Sequence, residues 1–249
     1  MIRNGIYFHG GAGAFPYYLG IARYLQENYD LNNVAFAGCS AGCFPAIALS
    51  AEICDGTFYE KVLLPSVKDI QNTNKMNGLM FKDAMIGSDW INHLKKHVKV
   101  AIEESGNFNK VNSKCSLLVT NVSFDNIQSQ FIRSWNSVDD LIECCITSAW
   151  IPVIFGGIFK EFRKGDCIDG GIGNIFSNKN HEPDYNHNWL HINLGTFGRF
   201  ENDIFTTLHN FISLTFSANE EYVLNLMKQG YIDAKQNDKY FKNFTKLKK

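Results

Sequence analysis

Apolar residues along the chain follow two spacings. Gly5-Ile6-Tyr7-Phe8 and Val34-Ala35-Phe36-Ala37 are short unbroken apolar runs, the pattern of strands buried on both faces. Between them Tyr17, Tyr18, Ile21, Tyr24 and Leu25 recur every three or four positions, which predicts a helix with one buried face. A second helix is expected through Ile47, Leu49 and Ile53, with Gly56 as its break. Further helices are predicted near residues 58–67 and from about Asp83 to Glu104, with a polar loop from Asn72 to Gly78 between them. Ser116 to Asn121 reads as a buried strand, and Ser129 to Trp135 as its hairpin partner across the Asp125-Asn126 turn. A helix beginning at Ser137, with Asp139 and Asp140 in its first turn, should run to about Ser148 and stop before Pro152. Short strands flank Lys164-Gly165, Trp189 to Leu194 is another strand candidate, and Phe205 to Met227 reads as an amphipathic helix interrupted near Ser217. Strands alternating with helices predict a three-layer α/β/α sandwich with a mostly parallel central sheet. No linker divides residues 1–249, so a single catalytic-sized domain is expected, ending in a basic tail at about 235–249.

Composition narrows the classes. A hydrophobic share of 45% in 249 residues supports a sizeable core, and a net charge of -1 argues against a broad nucleic-acid surface. The charge is uneven: residues 235–249 hold six lysines against Asp238. In that tail Tyr240, Phe241, Phe244 and Leu247 are spaced among lysines as in a helix lying on an anionic bilayer. The seven cysteines are odd in number and contain no C-x-x-C, which suggests neither a disulfide framework nor a zinc site; buried free thiols in a reducing compartment are expected. No leader pattern and no apolar run of about 18 residues is present, so an intracellular protein, peripheral on membranes at most, is expected.

The second strand runs into Gly38-Cys39-Ser40-Ala41-Gly42 and then a helix. Strand, G-x-S-x-G, helix is the order of a nucleophile elbow, which leaves a serine hydroxyl exposed at a helix start. Upstream, His9-Gly10-Gly11-Ala12-Gly13 could bring backbone N–H groups close to an oxyanion, with Gly10, Gly11 and Ala12 as the donors. As a dinucleotide fingerprint this loop fails, because it ends at Pro16 and no acidic residue closes the next strand. A base must take the serine proton. His187, His191 and His209 come late enough for a Ser–His–Asp order, but only one strand–helix unit separates the glycine loop from Ser40, unlike an α/β-hydrolase. Asp169, at the end of an apolar strand and followed by Gly170-Gly171, is the better base. His93 and His97 stand four apart without a third ligand, among Lys95, Lys96 and Lys99, and read as a solvated helix face.

Taken in order, Gly10-Gly11-Ala12, Gly38-Cys39-Ser40-Ala41-Gly42 and Asp169-Gly170-Gly171 resemble the patatin-like phospholipases. Thr147-Ser148-Ala149-Trp150-Ile151-Pro152 resembles that family's A-S-x-A-I-P segment, and Leu118 to Asn121 with Phe131 its preceding strand pair. The resemblance implies a Ser40–Asp169 dyad and an acyl-enzyme. It also implies no metal or organic cofactor, and a phospholipid or acylglycerol substrate at a membrane or lipid-droplet surface. A transacylase, or a weakly active lipid- or partner-binding relative, is the alternative. The chain departs from the family loop where Ala12 replaces a glycine, Ala14 a basic residue and Phe15 the last glycine.

Overall fold

The computed structural model describes residues 3–77, 86–152, 155, 157–177, 181–184, 186–200 and 219–248. Seven strands form one sheet. β1 (Arg3–Phe8), β2 (Ala35–Cys39), β3 (Cys115–Val122) and β7 (His187–Ile192) run parallel in the order β3-β2-β1-β7. β4 (Ile127–Ile132), β5 (Lys160–Phe162) and β6 (Gly165–Ile168) add antiparallel pairings beyond them. The parallel part is the mostly parallel sheet the alternation implied.

Pleating sorts the side chains. Ile6, Phe8, Phe36, Leu117 and Val119 point to one face and join the main core. Over that face lie α1 (Phe15–Asn28), α2 (Cys43–Ser50), α4 (Ile86–Ser105) and α6 (Val138–Ser148). Tyr7, Ala37, Cys39 and Leu118 point to the other and form a smaller cluster with Phe131 and Trp189. α7 (Gly170–Ser177) packs there against β3 and β4.

Local chemistry fixes the ends. Ser137 caps α6 by accepting the Asp140 N–H at 3.2 Å, as the sequence suggested. Pro45 falls in the first turn of α2, where a missing N–H costs least. The two-residue turn joining β5 to β6 puts Arg163 and Lys164 at φ +49 and +66, the left-handed pair that a tight hairpin demands.

Three expectations are corrected. The polar loop begun at Asn72 is helical as far as Asn77, because α3 (Leu64–Asn77) continues through it. α5 (Phe108–Lys114), too short to show a period, was not anticipated. The amphipathic tail helix does not form. α8 (Glu220–Gln236) ends first, a single 3-10 turn covers Asp238–Phe241, and the chain then lies along the end of α1 through a Tyr29–Lys246 bridge. Asp238 draws the tail in by accepting the hydroxyls of Tyr24 and Tyr29 and pairing with Lys246. Phe241 and Phe244 are buried in the main core, while Tyr240 and Leu247 stay exposed, so the stripe expected on a bilayer is split between core and surface. The part of the Phe205–Met227 helix before residue 219 lies outside the described residues, as does His209.

Candidate active site

One edge of β3 explains the site. β4 occupies the other edge along Leu117 to Val122. On the free edge β2 pairs with Cys115 to Leu118, running parallel and ending at Cys39 opposite Leu118. β6 pairs with Thr120 to Val122 on the same edge, running antiparallel and ending at Ile168 opposite Thr120. The two strands therefore approach head to head, with only Val119 of β3 between their last partners. Ser40 is the next residue of one strand and Asp169 the next residue of the other.

The elbow at Ser40 is strained as such turns are. Ser40 has φ +53, and Ser40–Gly42 is a 3-10 turn that leads directly into α2. A Cβ on Gly42 would lie 2.2 Å from the Phe8 carbonyl oxygen and 2.6 Å from that of His9, so the turn packs against the end of β1 with no room for a side chain. Ser148, near the end of α6, holds the elbow: its Oγ accepts the Ser40 N–H at 2.9 Å and donates to the Leu118 carbonyl. A Cβ on Gly170 would lie 2.2 Å from that same Leu118 oxygen, which fixes Asp169 close to β3.

Asp169 is buried, at 4% exposure. Its Oδ1 accepts the Gly171 N–H at 2.7 Å, and its backbone N–H donates to the Trp150 carbonyl at 2.9 Å. Oδ2 is buried and accepts no hydrogen bond of standard geometry, yet the Ser40 hydroxyl stands close enough to favour the charged form. Burial pushes the Asp169 carboxyl up to about 6, with Ser40 and the Gly171 and Ile172 amides opposing it. A carboxylate so placed is a stronger base than one in water.

The glycine loop lies against Ser40: a Cβ on Gly10 would be 3.4 Å from Ser40 Cβ. The Gly10 N–H is turned to the Cys39 thiol, which shares this side of the sheet with Tyr7 and Asp169. Among the described residues no acceptor takes the N–H groups of Gly11 and Ala12. Ala12 has φ +43, a conformation that favours the glycine it replaces. A cleft of about 340 Å³, counting its open mouth, connects loop and elbow. Ala12, Gly13, Phe15, Ala41, Phe44, Ile91, Leu94, Ala149, Ile151 and Phe155 line it, and Ser40 is its one polar lining residue.

The histidines are committed elsewhere. His9 Nε2 and His191 Nδ1 share a hydrogen bond of 2.8 Å, and His191 Nε2 pairs with Glu182 at 3.1 Å. Burial, then His191, pushes His9 down to about 4, so it is neutral at physiological pH. His187 pairs with Asp184. His93 and His97 are not a solvated pair: both converge on Asp69 of α3, at 3.4 and 2.8 Å. Among the described residues no group of three or more His, Cys, Asp or Glu side chains could hold a metal ion. All seven cysteines are free and buried. No helix of the described residues is long and apolar enough to cross a membrane.

The sequence did not single out Ser148 for the elbow, nor Cys39 beside Asp169. It also missed the lining from α4, whose Ile91 and Leu94 showed only as a core face.

The chain is similar to solved structures of two bacterial proteins. With VipD from Legionella pneumophila it shares 15% identity over 84% of this chain and 52% of that one, with a TM-score of 0.41. With the ExoU–SpcU complex from the type III secretion system of Pseudomonas aeruginosa it shares 12% identity over 98% and 53%, with a TM-score of 0.49. The chain spans about half the length of each. No curated protein matches it. The family model described as patatin-like phospholipase matches residues 6–180, which take in the glycine loop, the elbow and Asp169. On that match, which covers well over half of its length, the chain belongs to the patatin-like phospholipase family.

Proposed function

We propose that this protein is a lipid acyl hydrolase working through a Ser40–Asp169 dyad. The observation that carries the reading is the head-to-head meeting of β2 and β6 on β3, which puts a strained serine and a buried carboxylate side by side at the mouth of an apolar cleft. Ser40 Oγ attacks the ester carbonyl while Asp169 Oδ2 takes its proton. The N–H groups of Gly11 and Ala12, which have no acceptor among the described residues, bind the oxyanion. Gly10, whose N–H faces Cys39, shapes the loop rather than donating. Collapse of the tetrahedral intermediate expels the alcohol, which receives the proton from Asp169. Water then attacks the acyl-enzyme with Asp169 again as base, and releases the fatty acid. The apolar lining suits an acyl chain and offers nothing to a charged headgroup.

Product analysis from defined phospholipids and neutral glycerides, with Ser40→Ala as control, tests this. Fatty acid should be released by the wild type and fall on the order of 10³-fold or more in Ser40→Ala. A fluorophosphonate probe should label the wild type and not the variant. Equal release by both proteins would sink the assignment.

A further inference from the structure

Among the described residues, eight large hydrophobic side chains are left exposed, and they are not scattered evenly. Four of them, Phe124, Ile127, Ile158 and Phe159, belong to the β3–β4 turn and to the segment that enters β5. Phe124 is fully exposed and Ile158 is 62% exposed. Both places lie at the carboxyl end of the parallel strands, the end at which Ser40 opens. β3 continues to Val122, four residues past the partner of Cys39, so its turn stands about 13 Å beyond the elbow at ~3.3 Å per residue. Lys160 pairs with Cys167, which sets Phe159 and Ile158 alongside Ile168 and Asp169.

The exposed pair is held in place. Trp150 Nε1 donates to the Gly157 carbonyl at 3.3 Å, and the Trp150 carbonyl accepts the Asp169 N–H at 2.9 Å. Phe155 of the same segment is buried, and with Ile151 it lines the cleft over Ser40. The segment that carries Ile158 and Phe159 thus also supplies cleft lining through Phe155.

From this placement we infer that Phe124, Ile158 and Phe159 form a docking rim that enters the surface of a phospholipid bilayer and presents its esters to Ser40. The inference rests on the proposed hydrolase reading for its occupant. The cleft, about 340 Å³ even with its open mouth included, is too small to enclose a diacyl lipid. It accepts part of one acyl chain, so the rest of a diacyl lipid stays in its bilayer during reaction and the rim of the cleft must touch that bilayer. The neighbouring charges are mixed, Lys160, Arg163 and Lys164 against Glu161 and Asp166, so insertion of apolar side chains drives docking and anionic lipid is not required. The lysine-rich tail is not counted in this surface, since Phe241 and Phe244 are buried and it packs against the end of α1.

The test compares the full chain with its Phe124→Ser/Ile158→Ser/Phe159→Ser variant by flotation with phosphatidylcholine vesicles, with and without phosphatidylserine. None of the three side chains lines the cleft. Wild type should float with both vesicle types, and the variant should lose on the order of 100-fold in partitioning. Hydrolysis of vesicle phospholipid should fall in step while cleavage of a water-soluble short-chain ester stays unchanged. A Phe159→Trp variant should shift its emission to the blue on vesicle addition. Unchanged flotation of the triple variant, failure of the wild type to float, or a rim that instead is needed only for binding a protein would each overturn the inference. Rim-dependent flotation without cleavage of any ester would leave docking standing and overturn the hydrolase reading instead.

Discussion

Asp169→Asn should make the protein both inactive and more stable, and the gain should depend on pH. In the wild type, burial holds the Asp169 carboxyl at about 6 against an ordinary 3.8. Between about pH 4 and 6 the folded protein keeps a proton that the unfolded chain has released. Stability therefore falls as pH rises through that window and is level above it. A shift of about two units corresponds to about 3 kcal/mol at neutral pH, at 1.36 kcal/mol per unit. Asparagine keeps the shape: its Oδ1 can accept the Gly171 N–H that Asp169 now accepts at 2.7 Å. Its amide nitrogen replaces Oδ2, which has no formed partner to lose. Urea unfolding of both proteins between pH 4 and 8 measures the difference. The variant should gain nothing near pH 4 and about 2–3 kcal/mol at pH 7 and above. Its esterase activity should fall on the order of 10³-fold or more. The wild-type kcat/KM should rise through about pH 6 to a plateau, as ionised Asp169 accumulates. A stability difference that is the same at pH 4 and pH 7.5, or an active Asp169→Asn protein, would refute the reasoning.

Three further outcomes follow from the geometry. Ser148→Ala strips the Ser40 N–H of its acceptor and the Leu118 carbonyl of its donor; it should cost about 2–4 kcal/mol and lower kcat at least tenfold with little change in KM. Ser148→Thr, which keeps the hydroxyl, should recover most of that loss in the same assays. Ala12→Gly relieves a backbone at φ +43, worth roughly 1 kcal/mol less the extra unfolded-state entropy of glycine, so the melting temperature should hold or rise slightly and activity should persist. Gly42→Ala drives a methyl to 2.2 Å from a backbone oxygen that cannot give way, and soluble, cooperatively unfolding protein should not be recovered.

The sequence made some of this legible for physical reasons. The first two strand–helix units are local: each apolar run and each helical period is written in consecutive residues, so β1, α1, β2 and α2 could be read directly. G-x-S-x-G and D-G-G are legible because close backbone approach leaves glycines as a trace. Gly42 against Phe8 and Gly170 against Leu118 are the contacts responsible. What pairs with the free edge of β3 is a long-range choice, and nothing in Lys160 to Ile168 announces it. The cleft lining was hidden for the same reason: Ile91 and Leu94 of α4 lie far from Ser40 in sequence. The tail misled because Tyr240, Phe241, Phe244 and Leu247 fit a helical period, while Asp238 and three tyrosine and lysine partners decide the real path. Ser148 stood in the A-S-x-A-I-P-like segment, but its hold on the elbow was not legible, since a serine near a helix end is ordinary until its partners are known.

The topology also accounts for an aspartate where a histidine is the common base. Ser40 leaves a parallel strand, and the usual way to bring a second group to it is a loop at the carboxyl end of another parallel strand, several bonds distant. A histidine suits that reach. Here β6 returns antiparallel on the same edge of β3, so its terminus arrives at Ser40 from the opposite direction with no loop between. The space left between the strands is a single residue of β3. A short side chain fills it, and aspartate is the shorter of the two carboxylates. The same closeness buries the carboxyl and raises its affinity for that proton to about 6. On the proposed reading, one pairing choice thus sets which residue acts as base, how short its side chain must be, and why it is basic enough to act.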